Sequence, residues 1–155
     1  MKILIHTILM VVFIGLTGNA FAQNGDDARV MKEIEATIHS IKQDIESQNI
    51  EGLQSIHLLS KKFSKFGPRN FNRQDVQSTN ESEARFFSSI SDVTYTVRDL
   101  KIDVLGDVVV ATYYPEASFI MNGERRNTKG RQTFIFMKKA EKWKLVHEHG
   151  TGRPQ

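Results

Sequence analysis

The sequence predicts an α+β domain in which helices come first and an antiparallel sheet follows. Apolar residues recur every three or four positions from residue 30 to residue 63, the spacing of a helix face. From residue 93 the period drops to two, as in half-buried strands, and short turn signals separate the alternating stretches. Helical and strand patterns that are segregated along the chain, with strands joined by tight turns, give a meander and not parallel crossovers.

The 155 residues are 39% hydrophobic and 25% charged, the balance of one ordinary globular domain. There is no cysteine, which removes disulfides, thiol nucleophiles and thiolate metal sites. Lys plus Arg exceed Asp plus Glu by 21 to 18, too small and scattered an excess for a nucleic-acid partner. At the start, Lys2, an apolar stretch over residues 3–16 and Ala20-Phe21-Ala22 read as a secretory signal cleaved between Ala22 and Gln23. The stretch is shorter than the roughly 20 residues of a spanning helix, so no membrane insertion is expected after cleavage. Without a cysteine at the new terminus there is no lipid anchor, and the expected location is periplasmic or secreted. The expected division is a signal peptide over residues 1–22, one domain over residues 23–152 and a tail over residues 153–155.

Asp26 or Asp27 is a suitable cap for a first helix whose buried stripe is Val30, Ile34, Ile38, Ile41 and Ile45. A second helix follows Asn49, with Ile50, Leu53, Ile56, Leu59 and Phe63 on one side, and Gly67-Pro68 stops it. Residues 69–80 read as a loop, after which Ser78 or Thr79 caps a short helix carrying Ala84, Phe86, Phe87 and Ile90. Val93, Tyr95 and Val97 begin the first strand. Leu100, Ile102 and Val104 have the opposite parity, so an extra residue near Arg98-Asp99 must bulge and bend it. Gly106-Asp107 turns into a second strand over residues 108–121, in which Pro115 should mark a bulge or an edge. Asn122-Gly123 is a hairpin signal leading to a strand over residues 131–138, and a turn at Ala140-Glu141 leads to the last strand over residues 143–149. A bent sheet with helices on its concave side encloses a conical pocket, the default place for a small ligand.

This order, together with Gly130-Arg131-Gln132-Thr133-Phe134-Ile135-Phe136 and Lys142-Trp143-Lys144-Leu145-Val146-His147-Glu148-His149-Gly150-Thr151, resembles the SnoaL-like branch of the nuclear transport factor 2-like superfamily. The closing segment is also similar to the association domain of calcium/calmodulin-dependent protein kinase II. The resemblance covers about residues 28–152. It implies a cone-shaped, cystatin-like α+β fold with N-terminal helices packed on a curved antiparallel sheet. It also implies homodimers formed through the sheet, and a pocket that some members use for isomerase or cyclase chemistry. The kinase domains carry buried arginines where this chain has Phe134 and Gly150, so their acidic-ligand site is not implied. Steroid-isomerase members set a carboxylate base opposite a tyrosine and a protonated acid. The first helix here offers only aliphatic residues on its buried stripe, which speaks against that chemistry.

His147 and His149, two apart on a strand, point to one face with Trp143 and Leu145 and are the candidate acid–base groups. Two imidazoles do not make a metal site, and no spacing places a third ligand from His39, His57 or Glu116 beside them; no metal is expected. Arg131 could hold an anion through its forked guanidinium, or pair with Glu148 on the neighbouring strand. Tyr113 and Tyr95 could donate to a ligand carbonyl, or sit in the core with hydroxyls at its rim. Phe134 and Trp143 complete the pocket lining. The expectation is a dimer that binds a small, partly apolar molecule without a cofactor. The alternatives are an isomerase, cyclase or hydrolase of a small carbonyl compound using a pocket histidine, and a non-catalytic assembly module.

Overall fold

A computed structural model describes residues 18–68 and 70–155. The apolar part of the expected signal peptide therefore lies outside the described residues. The first helix, α1 (Gly18–Ser47), buries Val30, Ile34, Ile38 and Ile41, with Ile45 packed beside them, as the periodicity requires. It starts before Asp26 and Asp27, neither of which caps it; Asp26 instead pairs with Arg29 one turn on, at 3.3 Å. Gly25 inside the helix costs only about 1 kcal/mol relative to alanine, too little to stop it.

The second helix, α2 (Ile50–Ser55), is one and a half turns long and not the expected four. Asn49 Oδ1 accepts from Gly52 N at 3.2 Å and opens it. It ends early because the chain leaves to pair with the last strand: Leu145 N donates to Ile56 O at 2.8 Å and Leu58 N donates to Leu145 O at 2.9 Å. Leu59 is consequently 79% exposed, while Phe63 is buried from outside any helix.

The expected loop over residues 69–80 holds a strand and the first part of a helix. β1 (Ser64–Gly67) and β2 (Asn70–Gln74) form a hairpin, and Asp75 caps α3 (Val76–Phe87), with Oδ1 accepting from Ser78 N at 2.8 Å. Neither Ser78 nor Thr79 is the cap, and Ile90 lies beyond the helix. β2 escaped the sequence pattern because it is an edge strand of polar residues, with Phe71 fully exposed.

Four long strands follow: β3 (Ile90–Leu105), β4 (Val108–Met121), β5 (Glu124–Lys139) and β6 (Lys142–Pro154). The expected bulge is present, as a register shift between Arg98 and Lys101 with Asp99 at φ 52°. A second shift lies between Ser91 and Thr94. Asn122-Gly123 makes the β4–β5 turn and Ala140-Glu141 the β5–β6 turn, with positive φ at all four residues. Pro115 marks neither a bulge nor an edge. It pairs with Val97 inside β4, an interior strand, and on the β5 side the pairing passes from Tyr113↔Gln132 to Glu116↔Lys129. Gly130 leaves room there, since a Cβ on it would come within 3.2 Å of Pro115 Cγ.

The six strands are ordered β2-β1-β6-β5-β4-β3, antiparallel throughout except that β1 runs parallel to β6. α1 lies across the concave face, tied near its middle by Trp143 Nε1 donating to Glu33 Oε2 at 2.8 Å. Near its C-terminal end Tyr95 N donates to Glu46 Oε1 at 2.9 Å. Between them Ile34, Val109, Phe136 and Leu145 are almost wholly buried. Among the described residues no helix is long and apolar enough to cross a membrane.

Candidate functional site

One bulge decides which side chains enter the cone. On β6, Leu145 pairs with Phe136 but His147 pairs with Ile135, so Val146 is an extra residue and the parity of the strand inverts after it. Directly paired residues share a face. Glu148, opposite buried Phe134, therefore joins Leu145 and Trp143 on the concave side, while His147 and His149 turn to the outer face. This corrects the expectation that both imidazoles share a face with Trp143 and Leu145. On the outer face each ring lies about 6 Å from Phe66, and Ser64 Oγ is hydrogen-bonded to His147 Nδ1 at 2.9 Å. Burial, and then His149, holds the His147 pKa below the ordinary imidazole value.

Arg131 pairs with Thr151, also has outer parity, and is exposed. It does not meet Glu148; the neighbouring Gln132 does, with Nε2 donating to Glu148 Oε1 at 3.2 Å. Gly150 makes this possible, because a Cβ there would come within 2.7 Å of Gln132 Oε1. The other expected residues face inward. Tyr113 and Tyr95 have hydroxyls 3.2 Å apart, and Phe134 packs edge-on to the Tyr113 ring at 5.6 Å. Burial pushes the Tyr95 hydroxyl up to about 12 and the Tyr113 hydroxyl well above its ordinary value, so both phenols are neutral donors.

Beside this pair lies a cluster that the sequence reading did not assemble. The parallel pairing of β1 with β6 sets Lys65 opposite Glu148, and α3 brings Glu83 to the same point. Lys65 Nζ lies 2.7 Å from Glu83 Oε1 and 3.0 Å from Glu148 Oε1. These three side chains keep 12%, 16% and 13% of their surface exposed, so the cluster is deep but in contact with solvent. Burial alone would lower the Lys65 pKa, yet the charges of Glu148 and Glu83 outweigh it and the net shift is upward. His57 closes the arrangement. Only 3% exposed, it is hydrogen-bonded through Nδ1 to Asn80 Oδ1 at 2.8 Å, which turns Nε2 toward Glu83 Oε1, 4.0 Å away. Glu83 Oε2 is buried without a hydrogen-bond partner among the described residues.

With the ring neutral, a water between Nε2 and Glu83 Oε1 has a hydrogen for each, whereas a substrate hydroxyl can donate to one of them. His57, Glu83 and Glu148 also present ligand atoms within 4.8 Å of one another, but Lys65 already supplies the cation that the two carboxylates share. The signals for this site were faint. Leu145-Val146 is the one place where alternation along β6 breaks, and His57 and Glu148 are visible as chemistry-bearing residues with no hint that they meet.

A model of the SnoaL-like domain matches residues 34–151. The chain belongs to the SnoaL-like family. No curated protein is significantly similar to it. Among solved structures, a candidate dehydratase of the nuclear transport factor 2-like family from Streptomyces avermitilis is 16% identical. That match covers 81% of this chain and 96% of the other, with a TM-score of 0.73. A candidate scytalone dehydratase from Novosphingobium aromaticivorans is 12% identical over 85% and 88% of the two chains, with a TM-score of 0.72. A candidate calcium/calmodulin-dependent protein kinase II association domain from Xanthomonas campestris is 13% identical over 79% and 87%, with a TM-score of 0.67. At these identities the likeness establishes that this SnoaL-like chain shares their α+β fold, helices on a curved sheet.

Proposed function

We propose that this SnoaL-like protein is an exported homodimer that holds a small, partly apolar hydroxy-carbonyl compound in its cone and catalyses the loss or addition of water. The observation that carries the reading is the buried His57, held at Nδ1 by Asn80 with Nε2 facing Glu83, and two neutral tyrosine hydroxyls near Glu148 of the same cluster. The dehydratase names of two structural neighbours agree with it in reaction class.

In the elimination direction, His57 Nε2 takes the proton from the carbon next to the carbonyl. The electron pair left behind forms the carbon–carbon double bond as the carbon–hydroxyl bond breaks, and the imidazolium returns its proton to the departing hydroxyl, releasing water. Negative charge building on the carbonyl oxygen is met by the hydroxyls of Tyr95 and Tyr113. Glu83 stabilises the imidazolium, and Asn80 fixes the tautomer that leaves Nε2 free. His57 thus takes the role first expected of His147 or His149. The outer face of the sheet, where Val110 and Ile135 pair beside His147, is the proposed dimer surface.

The test is a panel of β-hydroxy ketones, 4-hydroxy-4-phenylbutan-2-one among them, followed by enone absorbance with the mature chain. His57→Gln should slow enone formation by about 10²- to 10⁴-fold, while His147→Gln and His149→Gln should leave it near wild type. Activity that survives His57→Gln and falls with His147→Gln would overturn the assignment.

A further inference from the structure

A second feature lies outside the cone. The 61–64 segment, β2 and the start of α3 enclose a groove of about 440 Å³, lined by Lys61, Lys62, Ser64, Arg73 and Asp75 over the buried ring of Phe63. The charge there is unbalanced. Elsewhere many cations have a carboxylate partner, such as Arg29 with Asp26 and Glu33, Lys42 with Glu46, Arg98 and Lys129 with Glu116, and Lys138 with Glu141, whereas the groove gathers three that have none. Among the described residues, no carboxylate lies within ion-pair distance of Lys61, Lys62 or Arg73. The one acid of the groove, Asp75, turns Oδ1 to Ser78, accepting from its N–H at 2.8 Å and its hydroxyl at 2.7 Å. Three cations against that single carboxylate leave an excess of two positive charges in one concave place.

We propose that this groove is a second binding site, which takes a small soluble molecule by its phosphate group. Phosphate matches the observations because its two charges balance the excess, and the Arg73 guanidinium can meet two of its oxygens at once while the lysines act as point charges. The volume exceeds that of phosphate alone and suits a sugar phosphate. Ser64 lines the groove while its neighbour Lys65 belongs to the concave cluster, so β1 separates the two sites by one residue. The proposal does not depend on the reaction assigned to the cone.

Calorimetric titration of the mature chain with glucose 6-phosphate and inorganic pyrophosphate tests it. One-to-one binding of both is expected, with no response to glucose, and it should weaken at least tenfold in Lys61→Gln/Arg73→Gln. All of these side chains are exposed, so the variants should fold, as circular dichroism will report. Lys142→Gln, an exposed cation at the β5–β6 turn, should bind like wild type. Absence of binding would overturn the proposal. So would equal affinity in the double variant, which would mean an adventitious ion only, and so would retention by anionic vesicles with no response to glucose 6-phosphate.

Discussion

Replacing Lys65 by methionine removes the cation that two carboxylates share and keeps most of the side-chain volume. Its contacts to Glu83 and Glu148 are 2.7 and 3.0 Å long, with all three groups at least five-sixths buried. At an effective dielectric of about 20, one such contact near 3 Å is roughly 5 kcal/mol of gross attraction, much of which offsets the desolvation of the ions. Breaking a buried ion group by removing one partner costs about 3–5 kcal/mol, a large part of the 5–15 kcal/mol typical of a domain. The pH dependence has a definite sign. In wild type the Lys65 pKa is raised, so its contribution is complete below the ordinary lysine value of 10.5 and fades only as the pH climbs through the higher folded value. In Lys65→Met the two carboxylates face each other, and like charge makes one hold its proton to higher pH. The deficit should therefore be greatest at pH 8 and shrink as the pH falls toward 5. Urea denaturation of both proteins at pH 5, 6.5 and 8 measures this. Adding Glu83→Gln and Glu148→Gln should recover most of the loss. A deficit under about 1 kcal/mol that does not change with pH would mean that Lys65 does not hold the two carboxylates together, because an ion group this deep cannot lose its cation so cheaply.

Phe136→Ala should destabilise by about 3–5 kcal/mol, since the ring is wholly buried where the sheet meets α1; a loss under 1 kcal/mol in urea would show that the cone's floor is loosely packed. Deleting Val146 removes the β6 bulge and would aim the following residues at the wrong face. The expected result is loss of cooperative unfolding, and a variant with wild-type stability would show that the bulge does not set the register. Tyr95 and Tyr113 should not ionise below pH 11 in the folded protein, so Tyr95→Phe and Tyr113→Phe should leave the 295 nm titration below that pH unchanged. Because both folded pKa values are raised, wild-type stability should decline once the pH passes the unfolded tyrosine value near 10; a 295 nm change that either variant abolishes at pH 10 would place that hydroxyl in water.

The long elements were legible because their periods are strong. The α1 stripe, the Asn122-Gly123 hairpin and the bulge at Asp99 all follow from residues adjacent in the chain. What was not legible depends on pairing between distant segments. β1 and β2 carry no alternation because polar edge strands need none, and α2 stops where it does because β6, some 90 residues later, captures the backbone at Ile56 and Leu58. The candidate site was hidden for the same reason. Tyr95, Tyr113 and Phe134 were recognisable as residues of the inner face. His57, Lys65, Glu83 and Glu148, by contrast, come from four elements or connections and meet through the parallel β1–β6 pairing, the bridge of His57 to Leu145, the placement of α3 and a one-residue bulge. That bulge also moved His147 and His149 out of the cone. A strict alternation cannot reveal it, although the adjacent apolar residues Leu145 and Val146 are the place to look.

β6 changes face at Val146, sending the two histidines outward and Glu148 inward. Nuclear Overhauser contacts between aromatic protons of the protein read this crossing. Cross-peaks are expected from the Phe66 ring to the imidazoles of both His147 and His149, and none from those imidazoles to Tyr95 or Tyr113. Cross-peaks joining either imidazole to Tyr113, with none to Phe66, would put the histidines inside the cone and contradict the site described above.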